Sequence, residues 1–353
     1  MVDMDNYFVN PLLSIRPGEP GQFILETRPY ETPLATKSRL VIDGLAQLPS
    51  QFTRKQAFES WTEFDDEERK VLWNFLEEEN LVMDQDQYAC TLELFGGNIS
   101  TASWKEAIGY HLATRDYPFL DMGIKNAAIV DNEIMKRYEC ERQTPDVYQD
   151  FSTGKGLQLR YIEDILNAEE AIEKSLGVQA LTLILDVAFG ERGKYERTYH
   201  EDINYLEMAK LLKAVPSGGG RHPAEGFVLA RSVSGLADGL YHYSVRIHAL
   251  ERLDDGRELA SLLTTAQSGP QLFILIAPVL ERAMWRYREP RSWRAVAVDM
   301  GHVIGATIGM ASFCGLRARA ITNYDSVGCA KAINISFEEQ PVLAVVQICE
   351  EEL

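Results

Sequence analysis

The chain is poor in cysteine, in basic charge and in long apolar runs, and each shortage closes off a class of function. Its five cysteines, at 90, 140, 314, 329 and 349, form no Cys-x-x-Cys pair. Such spacing gives no disulfide framework and reads as reduced thiols in a core. The histidines, His111, His200, His222, His242, His248 and His302, show no His-Glu-x-x-His and no other metal-ligand spacing, so no metal is expected. Only 35 Lys and Arg stand against 53 Asp and Glu, a formal net charge of −18. A chain this acidic is repelled by a phosphate backbone and by an anionic membrane surface, which argues against nucleic acid and membrane partners. No run of about 18 apolar residues occurs, and Asp3 and Asp5 sit where a signal peptide needs basic groups. A soluble, cytoplasmic protein is expected.

What is present is ordinary globular material: 353 residues, 46% hydrophobic, enough to bury two or three cores. Residues 1–90 read as a small module. Tyr7 to Ile15 and Gln22 to Thr27 are short apolar runs separated by Pro17-Gly18-Glu19-Pro20-Gly21, the punctuation of a strand pair. Helices follow at Thr36 to Leu48, after Thr53 with Gln56 in the capping-box position, and from Asp66 to Glu79 after Asp65. Leu81 to Met83 then reads as a wing strand, and the order suggests a winged helix. Its third helix carries Asp-Glu-Glu-Arg-Lys and Glu-Glu-Glu, which leaves no basic face for DNA.

Residues 91–175 read as a helical linker. Amphipathic helices at Trp104 to Leu112 and Ile162 to Leu176 flank a polar stretch, Arg142 to Gly156, expected to wrap a partner subunit. His111 reads as a packed core histidine. Residues 176–353 form an α+β region, with Phe227 to Ala230, Phe273 to Ala277 and Val342 to Ile348 as its central strands, each an apolar run of the length a buried strand needs.

The most informative stretch is Pro216-Ser217-Gly218-Gly219-Gly220-Arg221-His222-Pro223. Three glycines after a Pro-Ser turn serve positive φ or close backbone approach, so something flat or anionic is expected against them. A triple glycine alone is most often a surface turn. The preceding Leu206 to Val215 has helical spacing, and Gly226 to Ala230 reads as a buried strand. A helix, a backbone-open loop and a strand would make a cofactor ledge.

From Arg197-Thr198-Tyr199 through this loop to Gly239-Leu240-Tyr241-His242-Tyr243, then Trp285-Arg286-Tyr287, Asp299-Met300-Gly301-His302 and Ala311 to Leu316, the chain resembles the SagB-type dehydrogenases. These are flavin enzymes of the nitroreductase superfamily that act in ribosomal-peptide maturation. The ordered matches cover residues 176–353.

The resemblance implies a nitroreductase-like FMN domain, a homodimer with FMN where the subunits meet, a precursor peptide as substrate and other peptide-maturation enzymes as possible partners. It implies that Glu191 to Tyr199 is the family's arginine-rich turn, with Lys194 and Arg197 holding the flavin phosphate and Arg192 a less specific candidate. Pro216, Ser217, Gly218, Gly219 and Gly220 would lie against the isoalloxazine ring, their N–H groups reaching N5 and O4. Arg221, His222 and Tyr241 would meet the substrate. Trp285-Arg286-Tyr287 falls where azoline oxidases have a Lys-Tyr pair for proton removal; here Arg286 replaces Lys. A guanidinium stays protonated and cannot act as a base, so Tyr287 would work alone with Arg286 lowering its pKa, or the chemistry differs. The implied reaction is dehydrogenation of a thiazoline or oxazoline. Reduction of dehydroamino acid residues and a non-catalytic, peptide-recruiting scaffold are the alternatives, and the N-terminal module would dock a leader peptide by strand addition.

Overall fold

The computed structural model describes residues 5–11, 13–27, 34–93, 107, 110, 111, 114, 127–151, 156–169, 171–201, 205–263 and 269–350. The chain divides into two compact units, Met1–Phe119 and Leu120–Leu353.

In the first unit, β1 (Tyr7–Val9), β2 (Ser14–Pro17), β3 (Phe23–Glu26) and β4 (Leu34–Thr36) precede helices Arg39–Ala46, Arg54–Ser60 and Asp66–Glu78. β5 (Val82–Asp84) and a helix over Gln85–Glu93 follow. β2 and β3 pair across the Pro17–Gly21 turn, as the punctuation predicts, and β4 adds to β3. Both expected caps form complete capping boxes, Thr53 with Gln56 and Asp65 with Glu68, each satisfying two otherwise orphaned amides. Trp61 and Trp73 fill the core with Phe52, Leu72 and Leu76, and the Trp61 indole N–H donates to the Gly44 carbonyl at 2.9 Å. β5 occupies the expected wing position but pairs with β1 and runs straight into the next helix, so it does not open a wing hairpin. The winged-helix reading therefore rests on element order alone.

The Trp104 to Leu112 helix falls largely outside the described residues. His111, expected to be packed, is exposed. Its neighbour Thr114 is buried instead, bonding back to the Tyr110 carbonyl.

The second unit holds a seven-stranded antiparallel sheet in the order β15-β16-β14-β11-β12-β13-β6. Its strands are β6 (Gly156–Gln158), β11 (Ala224–Arg231), β12 (Gly239–Ser244), β13 (Ala249–Asp254), β14 (Gln271–Pro278), β15 (Leu316–Ile321) and β16 (Ala344–Glu350). The three expected central strands fall in β11, β14 and β16. Side-chain alternation splits each of them between two cores. Val228, Ala230, Ile274, Ile276, Val346 and Ile348 face the helices Val178–Phe189 and Ser292–Phe313. Phe227, Leu229, Phe273, Leu275 and Val345 face Arg257–Leu263 and Ser326–Ala332. The Ser292–Phe313 helix is long and apolar enough to cross a membrane, but its Val296, Met300, Val303 and Ala311 are buried in the cores of this unit.

Three expectations are corrected in this unit. Leu206 to Val215 is not a helix but β9 (Tyr205–Glu207) and β10 (Lys210–Lys213). β10 pairs with β7 (Glu191–Tyr195), burying Leu211 and exposing Leu212, so tertiary pairing overrides a helical pattern only ten residues long. The Glu191 to Tyr199 segment, read as an arginine-rich turn, is β7 followed by β8 (Thr198–His200), which pairs with β9. The Ile162 to Leu176 helix shortens to Ile162–Asn167.

The stretch from Arg142, expected to wrap a partner, packs on its own unit as far as Phe151. Phe151 meets Phe227 edge-on with centroids 5.5 Å apart, and the Trp285 indole donates to the Arg142 carbonyl at 2.9 Å.

Candidate functional site

The glycine loop joins β10 to β11. Gly219 and Gly220 take φ of +62° and +64°, the left-handed region that side chains avoid, so the sequence reading of this stretch holds physically. The loop is clamped from beneath by the long helix. Asp299 accepts the Ser217 hydroxyl at 2.5 Å and the Gly218 N–H at 3.0 Å, and His302 Nδ1 lies 3.1 Å from the Pro216 carbonyl, which accepts from it. The Gly220 N–H donates to the Ser217 carbonyl, the Arg221 N–H to the Gly218 carbonyl and the His222 N–H to Ser217 Oγ. The Gly219 N–H has no acceptor among the described residues. The Ser217 N–H likewise has none, so two loop amides are left to bond a ligand.

Tyr287 lies against Gly219 on the side a Cβ would occupy. A Cβ built on Gly219 would overlap the Tyr287 hydroxyl, and one on Gly218 would sit 3.3 Å from the Cβ of Ala295. At Gly219 the left-handed backbone and the Tyr287 hydroxyl together disfavour any side chain, while at Gly218 the fit is only tight. Arg286 lies with its guanidinium carbon 5.2 Å from the Tyr287 ring centroid and donates to the largely buried Asp131 at 2.6 Å, on the helix Ala127–Glu141. That carboxylate fixes Arg286 as a cationic strut beside Tyr287.

A cleft of about 430 Å³ opens along the loop, lined by Tyr195, Lys210, Leu211, Leu212, Lys213, Val215, Pro216, Ser217, Gly219, Gly220 and His222. Lys213 enters it from a β-bulge, where the β10–β7 register slips and Lys213 comes opposite Glu191. Burial pushes its amine down to about 8, Glu225 and Glu191 acting against that and Arg282 with it. The buried imidazole of His222, beside Lys213 and Arg282, is lowered to about 4, so it stays neutral at physiological pH.

Beneath the cleft runs a charged network that sequence reasoning missed. Arg282 donates to Glu225 Oε1 at 2.5 Å, Glu225 Oε2 lies 3.2 Å from His242 Nε2, and His242 Nδ1 lies 3.2 Å from Glu251. Burial raises the Glu225 carboxyl, but Arg282, His242 and Lys213 outweigh it and hold it at about 2. His242 was noticed only as flanking a turn. Adjacent strands bring Glu225, His242 and Glu251 together, and one sequence offers no sign of that pairing.

The remaining expected residues scatter. Arg197 donates to Glu139 at 2.7 Å, Lys194 pairs with Glu196 at 2.8 Å, and neither lines the cleft. Arg192 is held by the buried Asp186 at 2.6 Å. Tyr241 is 4% exposed, with its hydroxyl on the Ala237 carbonyl at 2.7 Å. It packs in the core of this unit rather than on the glycine loop. Arg221, Ser217 and His222 stay on the loop itself.

No family model matches the chain. It is 34% identical over 155 residues to the trifolitoxin-processing protein TfxB of Rhizobium leguminosarum bv. trifolii, a match covering 41% of this chain and 39% of that protein. It is 31% identical over 172 residues to a Methanocaldococcus jannaschii protein named as a nitroreductase, covering 44% of this chain and 75% of the relative. Among solved structures, a protein of the same name from Anabaena variabilis superposes with a TM-score of 0.47 at 22% identity, over 61% of this chain and 46% of that one. The Escherichia coli microcin synthetase McbBCD complex with truncated pro-MccB17 bound gives 0.40 at 18% identity, over 66% of this chain and 99% of the matched chain. The chain thus spans well under half the length of TfxB but three quarters of the archaeal relative, at 31% identity, and on that coverage it belongs to the nitroreductase family.

Proposed function

We propose that the chain is an FMN-dependent oxidoreductase of ribosomal-peptide maturation that dehydrogenates a thiazoline or oxazoline in a precursor peptide. The observation that carries this reading is the seating of the Tyr287 hydroxyl on the glycine loop, where a proton donor or acceptor and a backbone-open ledge meet. The similarity to a trifolitoxin-processing protein supports the peptide as substrate class.

The loop suits a flat, electron-rich ring. Gly219 and Gly220 present backbone without side chains, Leu211, Val215 and Pro216 give an apolar wall, and the Gly219 N–H supplies a donor. An isoalloxazine bound there would supply the hydride acceptor. The chain's own groups would do the rest. Asp299 and His302 hold the loop in place, the Gly219 N–H orients the ring edge, and Arg286, fixed by Asp131, keeps Tyr287 over the loop. With Arg197 and Lys194 engaged by Glu139 and Glu196, their service to the flavin phosphate requires those exposed pairs to open, a small cost for surface ion pairs.

A second reading is favoured by Arg286. A permanent cation beside Tyr287 suits delivery of a proton as well as its removal, which fits reduction of a dehydroamino acid residue. The two readings separate by mass. Incubation with a thiazoline-containing peptide in air yields a two-hydrogen loss under the first, whereas a dehydroalanine peptide with NAD(P)H yields a two-hydrogen gain under the second. A purified protein that takes up no flavin overturns both.

A further inference from the structure

We infer that Lys213 is the proton acceptor of the glycine-loop cleft. The inference rests on the oxidoreductase reading above. Dehydrogenation of an azoline breaks two C–H bonds and forms the ring C=C bond; one hydrogen leaves as hydride to the oxidised flavin and the other as a proton to a base. Arg286 cannot be that base, because a guanidinium stays protonated and its charge is committed to Asp131. His222 also lines the cleft, but burial lowers its imidazole to about 4 and leaves it a weak base.

Lys213 is differently placed. Lys213 ends the β10–β7 ladder opposite Glu191, on the face it shares with Leu211, and it lines both the glycine-loop cleft and the small gap between the loop and the long helix. It forms no hydrogen bond or ion pair with any described residue, unlike Lys194, which pairs with Glu196. A half-buried lysine without a partner is costly unless it sheds its proton, and its surroundings set how easily it does so. The charged groups around it are Lys210 on its own strand, Glu191 on β7, His222 on the loop, Glu225 on β11, Arg282 beneath and Asp299 on the long helix. The positive Arg282 is neutralised by its bond to Glu225, so burial dominates and the amine is driven down to about 8. At neutral pH a useful fraction is the free amine, and on taking the proton it becomes an ammonium whose proton passes on to solvent through the open cleft.

The test titrates the lysine in the flavin-loaded protein. The side chains are labelled with ¹³C at Cε, and Lys213→Arg assigns the resonance. Lys213 should titrate near pH 8, well below the other lysines; titration with them, at about 10.4, overturns the proposal whatever the enzyme does. With a thiazoline peptide, turnover should rise through that same pH in the wild type. Lys213→Arg and Lys213→Met should keep flavin and KM but lose about 100-fold in kcat and the pH limb with it. Wild-type kcat in either variant also overturns it. A wild type that binds no flavin, or leaves the peptide mass unchanged, instead defeats the oxidoreductase reading, and the base role falls with it.

Discussion

The hydroxyl of Tyr287 occupies the space that a Cβ on Gly219 would need. Gly219→Ala therefore meets two penalties. The left-handed backbone costs about 1–2 kcal/mol for alanine, and the overlap forces Tyr287 or the loop aside. We expect a lowered Tm and a loss of bound flavin in this variant. Gly301→Ala on the long helix, where a Cβ meets open space, should do neither. Equal flavin occupancy in the two would contradict the assignment of the ledge to Gly219.

Tyr287→Phe deletes one hydroxyl and relieves no strain. The variant should keep fold and flavin yet lose turnover by roughly 10- to 100-fold, because the hydroxyl seated on Gly219 positions the reacting group for proton removal by Lys213 rather than taking the proton itself. Kinetics beside a flavin absorbance spectrum decide it, and full activity would remove Tyr287 from the site.

Asp299→Asn tests the clamp. The carboxylate takes a Ser217 hydroxyl and a Gly218 N–H, and charge-assisted bonds of this kind contribute about 1.5–3 kcal/mol in all. An amide can keep one of the two contacts. Asp299→Asn should weaken flavin binding several-fold, and Asp299→Ala more. Flavin affinity measured by fluorescence quenching, if unchanged in both, would show that the loop holds its shape without the helix.

Acid should unfold the second unit in two stages. His222 is lowered to about 4 from 6.5, so between those values the unfolded chain binds a proton the folded one does not, and stability falls as pH drops through that window. Glu225 is held at about 2 against 4.5, so its contribution, present above 4.5, is lost as pH falls towards 2. Glu225→Gln should flatten the lower stage and leave the upper one in place. Thermal melts from pH 7 to 3 measure both, and an identical pH profile in the variant would remove Glu225 from the account.

The parts of this architecture legible in the sequence were those written in local pattern. Phe227 to Ala230 and Phe273 to Ala277 are apolar runs too short for helices, and Thr53 and Asp65 carry their capping partners three residues on. The triple glycine announced its own backbone. What stayed hidden depends on pairing between distant segments. Asp299 meets Ser217 across 82 residues and Arg286 meets Asp131 across 155. Lys213 looked like one charged position of an amphipathic helix until β7 claimed β10 as a strand. Tyr241 misled for the opposite reason: its place in a recognisable run suggested substrate contact, while β12 turns it into the core.

The most direct test of the central claim is the visible absorption spectrum of the purified chain after FMN is added and excess removed, run beside Gly219→Ala. The account predicts a yellow wild type with close to one flavin per chain, released on denaturation and identified as FMN, and a variant that is largely colourless. A wild type that retains no flavin, or a variant that retains as much as the wild type, would contradict it.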